Sequence, residues 1–495
     1  MKVWGQLKGA GTALALLAFG TLLGGCETAQ KTAQQIIERD GETQTLISKL
    51  KPTYEPSKLA IGLERDVMKM RAETFGIIAL PEMNDYLNGI RLRLLSKVGL
   101  TNLPGKIYLT ANPELGATTT PDGNIFINWS LLQYMNYEDD VAAVIAHELA
   151  HEILGHSDSS IFGQYFQKTR SLHRIGLEIV VSGRNMANDG QKKGLKKGES
   201  SQLSNLQLAV TLTTKVMAPS WQRGQERSAD LLGVDLLIAA GYNPDGMGNM
   251  LSVLKNYDEN NQKPVDWEKI GNHLASLSQG DKQLKLQSGV GLMQMAFGLA
   301  HPEAGARIDD VNNYLDQHYD EKATSQPYQY KSWTKVSRSP EFLKLTRAYE
   351  GALYANRLLE QGKYNEAYQL SKSTLGPAKD HAYPAFIQAW ALDAVGNFKE
   401  GQVVLKRALD NKQESSGRVY QKYASLLAKN GRHRDASGVI NVGYEQFGKA
   451  PQLLPDVVRY QRTSGDLKQA RMTARMCALD FPDFAEDCER AASAI

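Results

Sequence analysis

Cysteine is nearly absent from this sequence: 495 residues contain three, at positions 26, 477 and 488. So few thiols exclude a disulfide-built scaffold, and no Cys-His pattern offers a structural metal site. Histidine is scarce as well, with nine in the chain, so two at a metal-binding spacing carry more weight than in a His-rich protein. Beyond the N-terminal segment no run reaches the roughly 18 consecutive apolar residues of a membrane-spanning helix. Charge of one sign is missing too: 57 Lys and Arg oppose 54 Asp and Glu, a net +3. No basic stripe or nucleic-acid motif accompanies that balance, which excludes nucleic acid as a partner. What remains, 42% apolar and 22% charged residues, is the composition of ordinary globular protein, long enough for two or three domains.

The first eight residues are basic and residues 13–23 are apolar but too short to span a bilayer comfortably. Residues 1–25 therefore read as an export signal that is removed. Leu23-Gly24-Gly25-Cys26 has the form of a lipobox, so Cys26 is the expected lipid-bearing residue and lipid chains the expected anchor. Glu27 after the cysteine, by resemblance to Gram-negative lipoproteins, points towards a periplasmic chain on the outer membrane. The polar stretch 26–56 is then a tether.

The most informative stretch is Val141-Ala-Ala-Val-Ile-Ala-His147-Glu148-Leu-Ala-His151-Glu152-Ile-Leu-Gly155-His156. Asn136 can cap its start, Glu138, Asp139 and Asp140 suit the positive end of a helix dipole, and Gly155 is a plausible stop. On such a helix His147 and His151 lie about 40° apart, one turn above the other, as two ligands of one tetrahedral zinc ion require. Glu148, about 80° off that axis, can reach the attacking water as a general base. His156 falls roughly on the opposite side from His147, a poor ligand position, and Glu152 is an orienting or surface group.

A third ligand is available in Gly224-Gln-Glu226-Arg-Ser-Ala-Asp230, which opens an apolar-spaced helix ended by Gly241 and Pro244. Glu226 can ligate, and Asp230 one turn later can accept the other ring N–H of a liganding His; the bland reading is a solvated acidic face. H-E-L-A-H followed by E-R-S-A-D and A-G-Y-N-P-D-G-M resembles the gluzincin metallopeptidases, HtpX-like and BepA-like, related to the prenyl-protein endoproteases. Leu299-Ala-His301-Pro302 with Arg307, and the stretch Ala117-Thr-Thr-Thr-Pro121-Asp-Gly123-Asn-Ile-Phe-Ile-Asn128, are similar to two further elements of that family. The resemblance implies that His301 and Arg307 stabilise the oxyanion, with a resting-state zinc ligand as the alternative for His301.

Coarser signals complete the organisation. Leu59, Leu63, Val67, Met70, Leu87, Ile90 and Leu94 are expected core positions of helices behind the metal helix. Ile107–Thr110 and residues 124–128 read as two strands joined by a Pro-Asp-Gly turn, a sheet edge that could hold an extended peptide. The Gly- and Lys-rich segment 182–205 is a solvated loop, a lid or a contact to anionic lipid, and 258–288 an insertion that shapes access. After a linker over 321–341, glycines at 362, 396, 431 and 465 recur at spacings of 34, 35 and 34, each preceded seven residues earlier by Ala355, Ala389, Ala424 or Val458. That is the spacing of tetratricopeptide helix pairs, ending in a capping helix. Cys477 and Cys488 fall on the last pair and the cap, where an exported chain can pair them.

The expected fold is mainly α with a small β-sheet: a gluzincin-type metallopeptidase domain over 57–320, then an α-solenoid over 342–495. The expected function is a zinc-dependent endopeptidase of the bacterial cell envelope, holding one Zn2+ and acting in protein quality control or outer-membrane protein assembly. Its substrates would be unfolded or misassembled envelope proteins, and its repeats would bind protein partners. The alternative is a repeat-based chaperone or assembly factor with proteolysis secondary or vestigial, which an intact Glu148 and three ligands disfavour.

Overall fold

A computed structural model describes residues 44–50, 54, 56–57, 60–112, 115–156, 218–261, 304–378 and 380–493. Cys26, His301, the segment 182–205 and most of 258–288 lie outside these residues.

The first two α-helices among the described residues, α1 (Leu63–Glu73) and α2 (Pro81–Lys97), part company with the simple periodic reading. Pro81, at the first position of α2, needs no partner for a missing N–H, and Met83, Leu87, Ile90 and Leu94 bury one stripe against the metal helix. On α1, Leu63 is instead 41% exposed and Asp66 is buried. Asp66 accepts from Asn124 Nδ2 at 2.9 Å and from the Thr120 hydroxyl, which pins α1 to the sheet.

Among the described residues the sheet has three strands: β1 (Ile107–Thr110), β2 (Ala117–Thr119) and β3 (Ile125–Asn128) in the order β1-β3-β2. β1 runs parallel to β3, so the expected hairpin between them is replaced by one between β2 and β3, and the Pro121–Gly123 turn serves that hairpin. Ile107, Leu109, Ile125 and Ile127 face the core while Tyr108 stacks on Phe126 on the other side. Gly123 has φ 82°, and a Cβ there would stand 2.2 Å from Glu152 Oε1, so the turn sits directly on the metal helix. β2 is the free edge among the described residues.

After the short α3 (Trp129–Leu132) comes the metal helix α4 (Glu138–Ile153), buried from Glu138 through Ala150. Tyr137, not Asn136, is its N-cap residue, and Asp140 accepts from the backbone N–H of both Asn136 and Tyr137 at 2.8 and 3.0 Å. The acidic first turn does more than complement a dipole. Asp139 accepts from Asn243 N at 2.7 Å and Gln329 N at 2.6 Å, and Glu138 accepts from Tyr86 and Tyr242 hydroxyls at 3.0 and 3.2 Å. Helix α5 (Ala218–Ala239) packs along α4, and Gly233 permits the close approach: a Cβ there would meet Met247 Cε at 2.7 Å and His147 N at 3.3 Å. Gly241, at φ 70°, ends α5 as expected. Helices α6 (Asp245–Asn261) and α7 (Ala304–His318) complete the layer over α4 and α5. The end of the expected tether is also tied down, because Asp235 on α5 accepts from Ile47 N at 2.8 Å.

The expected linker is a largely exposed strap pinned to the core at two points. It contains α8 (Glu321–Thr324) and α9 (Lys331–Ser337), whose Trp333 and Val336 enter the core, and Trp333 Nε1 donates to Met135 O at 2.8 Å. Beyond it come four helix pairs: α10 (Pro340–Glu360) and α11 (Tyr364–Leu375), α12 (Ala382–Ala394) and α13 (Phe398–Asp410), α14 (Gly417–Lys429) and α15 (His433–Gln446), α16 (Leu454–Thr463) and α17 (Leu467–Asp480). The repeating glycines turn each pair with φ of 75°, 80°, 75° and 98°, and Ala355, Ala389, Ala424 and Val458 are each 0% exposed where neighbouring helices meet. Cys477 and Cys488 are disulfide-bonded, joining α17 to the final α18 (Ala485–Ser493).

The two halves do not have separate cores. One apolar cluster runs from Ile78 through the metal helix and Trp333 to Tyr383 and Ala391, with Trp129 edge-on to Tyr349 at 5.4 Å. A second seam joins α1 and the segment that follows it to the loop before α14: Arg71 Nε donates to Ser415 O at 3.1 Å, and buried Glu414 accepts from Ala79 N at 2.7 Å. No described helix is long and apolar enough to cross a membrane.

Candidate metal centre

Because α4 is helical through Ile153, His147 and His151 project from adjacent turns, and their Nε2 atoms stand 3.1 Å apart. Helix α5 brings Glu226 to both: Oε2 is 3.4 Å from His147 Nε2 and Oε1 is 3.2 Å from His151 Nε2. Among the described residues these three form a group whose donor atoms could hold one ion. Ligand bonds of about 2.0–2.1 Å at tetrahedral angles put donor atoms about 3.3 Å apart, so the spacing fits zinc. The charge also fits. Buried Glu148, Glu226 and Asp230 face one buried guanidinium, Arg307, and a divalent cation balances the remaining two negative charges.

Behind His147, Asp230 Oδ1 lies 2.9 Å from Nδ1, which leaves Nε2 to face Glu226. Burial pulls the His147 pKa down, but the hydrogen bonds and charges of Asp230 and Glu226 outweigh it and lift the ring to about 10. For Asp230 burial acts upwards and the Arg307 guanidinium overcomes it, holding the carboxyl below its usual range.

Arg307 does not converge on the cleft as an oxyanion donor. Its guanidinium forks onto Asp230 at 2.6 and 2.7 Å and its Nη1 lies 3.0 Å from Glu226 Oε2, with the side chain buried on α7. Arg307→Met is therefore expected to leave two buried carboxylates unbalanced, destabilising the zinc-free protein by about 3–5 kcal/mol and weakening metal binding. Thermal unfolding and a chelator competition check this; unchanged stability and affinity with a depressed kcat would return Arg307 to the transition state.

Glu148 is buried next to the three donors but is not one of them. The Thr119 hydroxyl on edge strand β2 lies 2.9 Å from Glu148 Oε2 and 3.0 Å from its backbone O, so the sheet orients the carboxylate. Glu152 is no surface group: burial raises its pKa to about 7, while a Tyr54 hydrogen bond and the Arg91 charge hold it down. Beside His147 and Glu148 a cleft is lined by Ala117, Leu131, Val144, Met250 and Leu254.

Two contacts escape sequence reasoning. Thr119 sits in a three-residue strand too short to show a period. A helical wheel extended past Ile153 misplaces His156, because Gly155 turns the chain at φ 64° and returns His156 to within 2.9 Å of His151, Nδ1 to Nδ1. The glycine stop itself is the available signal.

Residues 81–315 match the model of peptidase family M48. The chain is 24% identical over 352 residues to the beta-barrel assembly-enhancing protease of Yersinia pestis, covering 68% of this chain and 62% of that protein. It is 26% identical over 222 residues to the protein of the same name in Escherichia coli K12, covering 43% and 42%. A mitochondrial metalloendopeptidase OMA1 of Schizosaccharomyces pombe is 23% identical over 282 residues, covering 56% and 67%. The chain thus spans less than two thirds of the beta-barrel assembly-enhancing proteases it resembles. The three converging donors on two helices, and the carboxylate beside them, thus lie within the stretch, residues 81–315, that is similar to peptidase family M48.

Proposed function

We propose that this chain is a zinc-dependent endopeptidase of the bacterial cell envelope, cleaving unfolded or misassembled proteins during outer-membrane protein assembly or quality control. The observation that carries the reading is the convergence of His147, His151 and Glu226 at 3.1–3.4 Å next to buried Glu148 and the open edge of β2. The names of the bacterial relatives support the envelope context.

His147, His151 and Glu226 would hold the ion, and zinc bound there supplies a Lewis acid that polarises a peptide carbonyl and acidifies water. Glu148 takes the proton of the attacking water on its carboxylate and delivers it to the leaving amine nitrogen. Thr119 keeps Glu148 Oε2 in place during both transfers. An extended substrate adds to β2 through main-chain hydrogen bonds, which reads backbone without reading sequence.

The helix pairs are of the tetratricopeptide type in this reading, supported by the glycine spacing, and they recruit protein partners. A lipid anchor on Cys26, supported by Leu23-Gly24-Gly25-Cys26, holds the chain at the periplasmic side of a membrane, the outer one by the Glu27 signal.

The test is hydrolysis of an unstructured peptide by the exported full chain. Activity should vanish with a chelator and return with stoichiometric zinc but not magnesium; no hydrolysis by zinc-loaded protein would overturn the reading. The intact mass of the same preparation tests the anchor, since an unmodified Cys26 removes it.

A further inference from the structure

His147 and His151 are held from behind in different ways. Behind His147 stands Asp230, itself clamped by Arg307. Behind His151 stands a second imidazole, with His156 Nδ1 2.9 Å from His151 Nδ1 and the rings nearly edge to face at 4.9 Å and 70°. We propose that His156 is a positioning residue for the metal centre, accepting the Nδ1 proton of His151 and thereby fixing that ring's tautomer and tilt. The proposal rests on reading His147, His151 and Glu226 as the ligand set.

Proton bookkeeping gives the direction. If His151 presents Nε2 to the ion, its Nδ1 carries the proton and must donate, so His156 Nδ1 is an acceptor. The His156 proton then sits on Nε2, which faces Ser228 Oγ at 3.4 Å. Ser228 in turn donates to the carbonyl of Gly224 at 2.9 Å or Gln225 at 3.1 Å. Each proton on this path has an acceptor, and the opposite polarity would leave His151 Nε2 protonated and unable to ligate. Ser228 lies on α5 between Glu226 and Asp230, so the path ties the end of α4 to the helix that supplies the third donor. His156 is not a fourth ligand, because it approaches the far ring nitrogen of His151 and not the edge that faces Glu226.

Asparagine and leucine separate this role from packing. In His156→Asn the side-chain amide oxygen would occupy the place of His156 Nδ1 and accept the same proton, whereas leucine fills the space and accepts nothing. Zinc affinity is read by competition with a chromogenic chelator, and ligand geometry by the visible spectrum of the cobalt-substituted protein. His156→Leu is expected to lose about 10–100-fold in zinc affinity and to shift the cobalt bands, while His156→Asn stays within a few-fold of wild type with an unshifted spectrum. Ser228→Ala, which leaves α5 helical whatever happens to position 156, should weaken zinc by a smaller, few-fold factor. Wild-type affinity in His156→Leu, or equal losses in the Leu and Asn variants, overturns the proposal; if both unfold, wild-type affinity and spectrum in Ser228→Ala do so. His151→Ala keeps the two readings apart. Unchanged zinc binding there removes the ligand set itself, whereas loss there with no effect at 156 removes only the positioning role.

Discussion

Glu148→Gln is expected to hydrolyse an unstructured peptide about 10²–10⁴-fold more slowly than wild type while keeping its zinc and its thermal stability. Glutamine preserves the shape of the side chain and an oxygen that can accept from Thr119 Oγ1, which lies 2.9 Å from Glu148 Oε2. The three donor atoms are untouched, since Glu148 is not among them. What disappears is the basic oxygen that takes a proton from water, so the loss should fall on kcat and not on KM. Glu226→Ala makes the contrast. It removes one of three donors and leaves Arg307 and Asp230 with a changed charge balance, so its zinc content should fall with its activity. Near-normal turnover by Glu148→Gln would mean that another group moves the proton, and full zinc occupancy in Glu226→Ala would mean that another residue supplies the third donor.

The parts of this centre that were legible in the sequence are those carried by a single continuous helix. A four-residue spacing fixes the angle between His147 and His151 once the helix is granted, and Glu226 and Asp230 are related the same way on α5. The glycines of the repeats were legible for a similar reason, since a left-handed turn recurring at 34 or 35 residues leaves few alternatives to stacked helix pairs. What was not legible depends on where long or post-helical side chains end up. Arg307 has reach enough for either the cleft or the carboxylates behind it, and only the seating of α7 on α5 decides for the carboxylates. His156 lies one residue past a chain reversal, where a helical wheel no longer applies. The strap looked like a linker because Pro327 and its Ser, Lys and Thr residues dominate its composition, while two residues, Trp333 and Val336, carry its packing.

That strap bears on how the chain can be divided. Separate cores would predict that deleting 342–495 leaves small-peptide hydrolysis intact, but the continuous apolar cluster predicts the opposite. The deletion strips Tyr349 and Tyr383 from Trp129 and Phe75 and exposes the far side of the core behind β3 and α3. It also removes Glu414, the acceptor for Ala79 N, and the Ser415 carbonyl that receives Arg71. Each large apolar side chain returned to water costs about 1.5–3 kcal/mol, against a total stability of about 5–15 kcal/mol for a typical domain. Losing several such contacts at once should leave 1–341 aggregated or unfolded at 37 °C, with no measurable hydrolysis. A shorter deletion discriminates this from a loss of partner recruitment. Leu454, Val458, Ala470, Ala474 and the paired cysteines form a cluster of their own, so removing 467–495 exposes the end of α16 without opening the core around the metal helix. That variant should keep hydrolysis of a small peptide within about threefold, because damage confined to one end of a stacked array stays mostly local. Thermal unfolding and peptide turnover of both deletions decide the matter: a folded, fully active 1–341 would show that the shared core is dispensable. Equal failure of the two would show that the array folds only as a whole.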